Sequence, residues 1–206
     1  MAVIDHLVLA VPDLAAGVDD LESRLGVRPA LGGAHPGRGT HNALVGIGDS
    51  YLEIIGPDPD QDEPAAGRPF GVTTDMTPRL VTFAVRPGEG ETIESLVEAA
   101  RSVGHDPGEI VEMSRTTPDG TTLSWRLTAP SVTAGGSIPF LIDWGDSTHP
   151  VATAPSGGRL VDLTGSTGRH ELANAVNRAL GVGVTVADGD DGLVAIVQTV
   201  NQTVTL

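Results

Sequence analysis

The sequence predicts an α+β fold made of three consecutive βαβββ-like units. Three observations predict it. Apolar runs of strand length recur along the chain, each bounded by Gly, Pro, Asp or Asn turns. Three of these runs are each followed by a stretch whose apolar residues share one helical face, and then by further strand-like runs. The hydrophobic content, 39% of 206 residues, is enough to bury a substantial core.

The first strand spans Ala2 to Val11. Asp13 is a good helix N-cap, and Leu14, Val18, Leu21 and Leu25 then fall on one face before Gly26 stops the helix. A short strand near 27–32 leads into the glycine-rich residues 31–39. Thr40 to Ile47 and Ser50 to Pro57 read as strands around a Gly48-Asp49-Ser50 turn. Residues 57–78 form a loop rich in Pro, Asp and Gly, after which the order restarts. Arg79 to Arg86 is a strand, and Ile93, Leu96, Val97 and Ala100 mark a helix ended by Gly104. Strands follow at 109–114, 121–127 and 138–144, with Pro118-Asp119-Gly120 as a strong turn. The third unit has a strand at 159–164, a helix at 171–180 with Leu172, Ala175, Val176 and Ala179 on one face, and strands at 182–186, 192–199 and 203–206. The division expected is a two-module domain over 1–155 (modules 1–75 and 76–150) and an extension over 156–206.

Composition excludes several functions. There is no cysteine, so no disulfide, thiolate ligand or cysteine nucleophile. There is no lysine either, which removes Schiff-base chemistry. A formal charge of -15 opposes a nucleic-acid or anionic-membrane partner. No apolar run reaches membrane-spanning length and no leader pattern opens the chain, so a soluble cytoplasmic monomer or homodimer is expected. There is no P-loop, GxSxG, HExxH or dinucleotide fingerprint.

Two residues stand out. His6 and Glu53 each interrupt an otherwise apolar strand, and a charge buried there needs a partner. They are expected to face one cavity, around a divalent metal. His41 is the candidate third ligand, making a two-histidine, one-carboxylate set. Asn42 would orient a ligand or donate to a substrate oxygen. Tyr51 shares the face of Glu53 by period two and either lines the cavity or packs in the core. Trp144 and Trp125 read as core or pocket wall. Arg126 either binds a substrate carboxylate or forms a surface ion pair. His35 belongs to a lid or, more simply, to an exposed loop. His149 reads as structural, and His105 and His170 as surface.

The stretches Ile4-Asp5-His6-Leu7-Val8-Leu9-Ala10-Val11-Pro12-Asp13-Leu14, Gly39-Thr40-His41-Asn42-Ala43-Leu44 and Tyr51-Leu52-Glu53-Ile54-Ile55 carry a likeness. They resemble the vicinal oxygen chelate superfamily, which includes glyoxalase I, extradiol dioxygenases and bleomycin-resistance proteins. Pro139-Phe140-Leu141-Ile142-Asp143-Trp144 and His149-Pro150 are similar to its glyoxalase-like domains, many of them bacterial. The resemblance implies that the paired modules curve into a mixed-sheet cup. It carries His6 onto the first-strand metal ligand and Glu53 onto the fourth-strand ligand, which can double as a base. The second module departs from the pattern: aligning Ala84-Val85 with Ala10-Val11 puts Leu80 at the position of His6, and the fourth-strand position falls near Ile142 or Asp143. The implied function is a lyase, isomerase or dioxygenase that uses Fe, Mn, Ni or Zn on a small oxygen-rich substrate. The alternative is a metal-free small-molecule binder of the bleomycin-resistance kind. The third unit, which carries no ligand constellation, is expected to pack beside the cup or cover a sheet edge.

Overall fold

A computed structural model of the chain describes residues 1–116 and 122–206; the turn expected at Pro118-Asp119-Gly120 lies outside them. The described residues form three α-helices and one curved, unclosed mixed sheet of twelve strands. The first unit comprises β1 (Val3–Ala10), α1 (Leu14–Leu25), β2 (Ala30–His35), β3 (Thr40–Ile47) and β4 (Tyr51–Pro57). The second comprises β5 (Arg79–Arg86), α2 (Ile93–Ser102), β6 (Ile110–Thr116), β7 (Thr122–Thr128) and β8 (Phe140–Asp143). The third comprises β9 (Ser156–Ser166), α3 (His170–Leu180), β10 (Thr185–Ala187), β11 (Gly192–Gln198) and β12 (Thr203–Thr205).

The helix boundaries follow local chemistry. Asp13 accepts from the Ala16 amide at 2.9 Å, and Gly26 closes α1 at φ 76°, a backbone that glycine adopts without strain. Thr92 and Ser95 cap α2 reciprocally.

The first two units are wired alike. β1 runs parallel to β4, which continues antiparallel to β3 and then β2. β5 runs parallel to β8, followed by β7 and β6. An antiparallel β1–β5 ladder joins the halves. Strand periodicity then sorts the side chains into two layers. Leu7, Leu9, Leu52 and Ile54 join the core under the helices, whereas Val8, Ala10, Tyr51 and Ile55 join a second apolar cluster inside the cup.

The third unit has the expected element order but different pairing. β9 lies between β10 and β11 rather than beside its own last strand. Its first residues extend the sheet from β3, with Gly46 opposite Ser156. Its apolar residues Val176, Leu180, Ala195 and Val197 merge with the helix-side core, and the Ala2 amide donates to the Leu180 carbonyl at 3.2 Å. The extension therefore backs the convex side and leaves the cup open.

Candidate functional site

The concave face of β1, β3 and β4, together with residues from the 57–78 loop and β6–β8, encloses a cavity of about 520 Å³. That volume suits a small molecule. One end is polar: His6, His35, Asn42 and Glu53. The remainder is apolar and aromatic, including Phe70, Met113, Trp125, Leu127, Phe140, Ile142 and Trp144.

His6 is 4% exposed, with its ring stacked on Tyr51 at 4.6 Å and edge-on to Phe140 at 5.4 Å. Its Nδ1–H donates to Asp5 Oδ1 at 2.7 Å, which turns Nε2 toward Glu53 Oε2 at 3.9 Å. Asn42 donates from Nδ2 to Glu53 Oε1 at 2.6 Å. On the far side of that carboxylate, His35 Nε2 stands 3.8 Å from Oε1, while its Nδ1 is paired with Thr40 Oγ1 at 2.9 Å. Glu53 thus sits between two imidazoles, with an amide holding its orientation.

Asp5 is the residue the sequence reading passed over. Adjacent strand residues should point to opposite faces, yet Asp5 and His6 touch. The β1–β5 register shifts between Ile4 and His6, so Asp5 opposes no residue of β5; such an irregularity re-aims a side chain. Asp5 is fully buried and its Oδ2 accepts from Trp144 Nε1 at 3.1 Å and His149 Nε2 at 2.9 Å, with Arg86 Nη1 at 3.4 Å. His149 Nδ1 accepts from the Val151 amide at 3.2 Å, which fixes the proton on Nε2. Burial pushes the Asp5 carboxyl up, but hydrogen bonds from His149 and His6 outweigh it and hold the group well below the usual carboxylate range. The sequence signal was an Asp-His pair inside an apolar strand.

The other candidates divide by strand parity. Asn42 and Tyr51 line the cavity, as do Trp125 and Trp144. His41 has the opposite parity from Asn42 on β3 and is not part of the cavity wall; its expected place beside His6 and Glu53 is taken by His35, from the strand paired to β3. His35 therefore belongs to the site rather than to an exposed loop. Arg126 also lies outside the cavity wall and pairs with Glu94 and Asp143, at 2.5 and 2.6 Å. Arg126→Ala is expected to cost no more than about 1 kcal/mol in a urea melt, as for an exposed pair, and to leave ligand binding unchanged. Asp143 is thereby engaged outside, while Ile142 lines the cavity. Leu80 does not take the position of His6 either. A second register shift, between Val8 and Leu9, sends Leu80 into the helix-side core, and Ala84 stands opposite His6. Among its described residues the second unit therefore offers the cavity no imidazole or carboxylate.

The sequence matches the family described as Glyoxalase-like domain over residues 4–187. The chain belongs to that glyoxalase-like family. Its fold is that of the vicinal oxygen chelate superfamily, as the β1, β3 and β4 motifs implied. Among solved structures, a hypothetical protein from Staphylococcus aureus is similar with a TM-score of 0.58 at 14% identity, covering 100% of this chain and 84% of that one. Methylmalonyl-CoA epimerase from Mycobacterium tuberculosis aligns with a TM-score of 0.41 at 18% identity, covering 68% and 84% of the two chains. A Streptomyces coelicolor methylmalonyl-CoA epimerase variant in complex with 2-nitronate-propionyl-CoA gives 0.43 at 17% identity, covering 72% and 98%. No curated relative matches the sequence. No helix among the described residues is long and apolar enough to cross a membrane.

Proposed function

We propose that this glyoxalase-like protein is an enzyme that moves a proton on a small carbonyl substrate, with Glu53 and His6 as the working pair. The observation that supports the reading is a carboxylate-backed imidazole facing an amide-held carboxylate at the polar end of an aromatic cavity. With its proton on Nδ1 toward Asp5, His6 turns the Nε2 lone pair to the cavity. The 3.9 Å between Nε2 and Glu53 Oε2 is too long for a hydrogen bond. One substrate atom can therefore lie within reach of both groups. In this reading Glu53 takes a proton from carbon beside the carbonyl. The Glu53 acid so formed delivers that proton to the carbonyl oxygen, giving a neutral enol whose O–H donates to the His6 Nε2 lone pair, and the reverse transfer returns a proton to carbon. The outcome of such a transfer is an isomerisation.

A second reading uses the same residues to hold a divalent ion, Fe, Mn, Ni or Zn. Two features favour it. Asp5 backs the imidazole as carboxylates back metal-bound histidines, and His6, His35 and Glu53 have the composition of a two-histidine, one-carboxylate site. The fit is incomplete, because among the described residues no three ligating side chains gather closely enough for one ion.

The experiment is proton exchange in deuterium oxide, followed by proton NMR, across a panel of 2-oxo acids and 2-oxoaldehydes. It is run with and without a chelator, alongside elemental analysis. Exchange that survives chelation supports the proton-transfer reading. One retained equivalent of metal, lost in Glu53→Gln together with exchange, would transfer the case to the ion. Ligand binding with no exchange on any panel member would leave a sequestering protein of the bleomycin-resistance kind.

A further inference from the structure

The charges lining the cavity run against those of the whole chain. Acidic residues outnumber basic ones by 27 to 12. Along the cavity wall, however, the charged groups among the described residues are two guanidiniums, Arg38 and Arg68, and one carboxylate, Glu53. Glu53 lies at the polar end, already held by Asn42.

The two arginines differ in what they do. Arg68 is used structurally: it donates from Nε to the Gly39 carbonyl at 2.8 Å and pairs through Nη1 with Glu63 at 2.5 Å. Arg38 is exposed on the hairpin between β2 and β3, and among the described residues its guanidinium makes no hydrogen bond or ion pair. Its backbone, by contrast, is fixed. The Arg38 amide donates to the His35 carbonyl at 3.0 Å. The Gly37 amide donates to Gln61 Oε1 at 2.9 Å, and the Asp58 amide donates to the Gly39 carbonyl at 3.0 Å. A fully charged, unpaired group on an anchored turn at the mouth of an apolar cavity is arranged to meet an anion from outside.

We infer that Arg38 is the specificity residue of this cavity and selects small molecules with an apolar body and a terminal carboxylate. The inference rests on the reading of the cavity as a small-molecule site. The apolar body fills the space between Phe70, Phe140 and the two tryptophans. The carboxylate stays at the mouth, where the planar guanidinium fork receives both oxygens. The reacting end is then directed to Glu53 and His6.

The chain supplies its own reporter. It has two tryptophans, Trp125 and Trp144, and both line the cavity. The probes are 4-cyclohexylbutyrate and its neutral amide, neither of which absorbs in the tryptophan range. Titration of the full chain, read by tryptophan fluorescence, is expected to give about five- to tenfold tighter binding of the acid, a ratio that shrinks as salt is added. Arg38→Gln should bring the two ligands within about twofold by weakening the acid alone, and Arg38→Glu should reverse the preference. Because Arg38 is exposed and unpaired, both variants should keep the wild-type melting temperature.

Equal binding of acid and amide to the wild-type chain would overturn the anion selectivity and leave the small-molecule cavity standing. An acid preference that survives in Arg38→Gln would overturn the assignment to Arg38. Weakening of both ligands in Arg38→Gln would make the residue structural and overturn it equally. Failure of either ligand to reach the tryptophans would remove the cavity reading itself, and the inference with it.

Discussion

Asp5→Ala is expected to destabilise the protein by about 3–5 kcal/mol, the cost of leaving buried charged partners uncompensated. For a chain of this size that corresponds to a fall of roughly 6–20 °C in melting temperature. The reason is the number of donors that converge on one fully buried carboxylate: His6, His149, the Trp144 indole and Arg86. His6 is its neighbour on β1, and the other three reach Asp5 from distant parts of the chain, so the group ties β1 to the end of β8, to the 149 segment and to β5. Asp5→Asn keeps the shape and one carbonyl oxygen, and should lose roughly half as much. Urea denaturation at neutral pH measures both. A change below about 0.5 kcal/mol in Asp5→Ala would show that the convergence carries no energy.

The same residue predicts an acid response. The folded-state pKa of Asp5 lies below its ordinary value of 3.8, so the unfolded chain binds this proton more readily than the folded one. Its contribution is complete above about pH 4 and is lost as the pH falls from there toward the folded value. Asp5→Asn should therefore start less stable at neutral pH and lose less between pH 4 and 2 than the wild type. Parallel stability curves across that window would contradict the assignment.

Glu53→Gln is the second large effect. It should slow solvent exchange of a turned-over carbonyl substrate by about 10²- to 10⁴-fold, the range for loss of a positioned acid–base group. The substitution preserves size and an oxygen for the Asn42 amide, so folding should be little changed. Unaltered exchange in a folded Glu53→Gln variant would remove this carboxylate from the chemistry. His6→Ala is less clean as a probe, because it strips a donor from Asp5 and a ring from between Tyr51 and Phe140.

Much of this was legible in the residues alone. The helical period of Leu14, Val18, Leu21 and Leu25 determines that α1 forms and which face it buries, and the short continuous apolar runs of β1 and β4 mark strands buried on both faces. Those patterns are local, and run length with the flanking turn residues assigns each one to strand or helix. His6 and Glu53 were visible for the same reason, since a titratable group inside a greasy strand violates the local pattern. Tertiary structure alone decided the rest. Whether His41 or His35 stands beside Glu53 depends on which face of β3 meets the cavity and on how β2 folds back along it. Asp5 required a register shift that no local pattern announces. Its partners Trp144 and His149 lie some 140 residues away in sequence. The Phe70 wall of the cavity depends on where an irregular loop comes to rest. Residue type and period specify an element and its faces, but a site is made of relations between elements. Those relations are settled only when the elements pack, because burial of the whole core selects among registers that local propensity leaves equal.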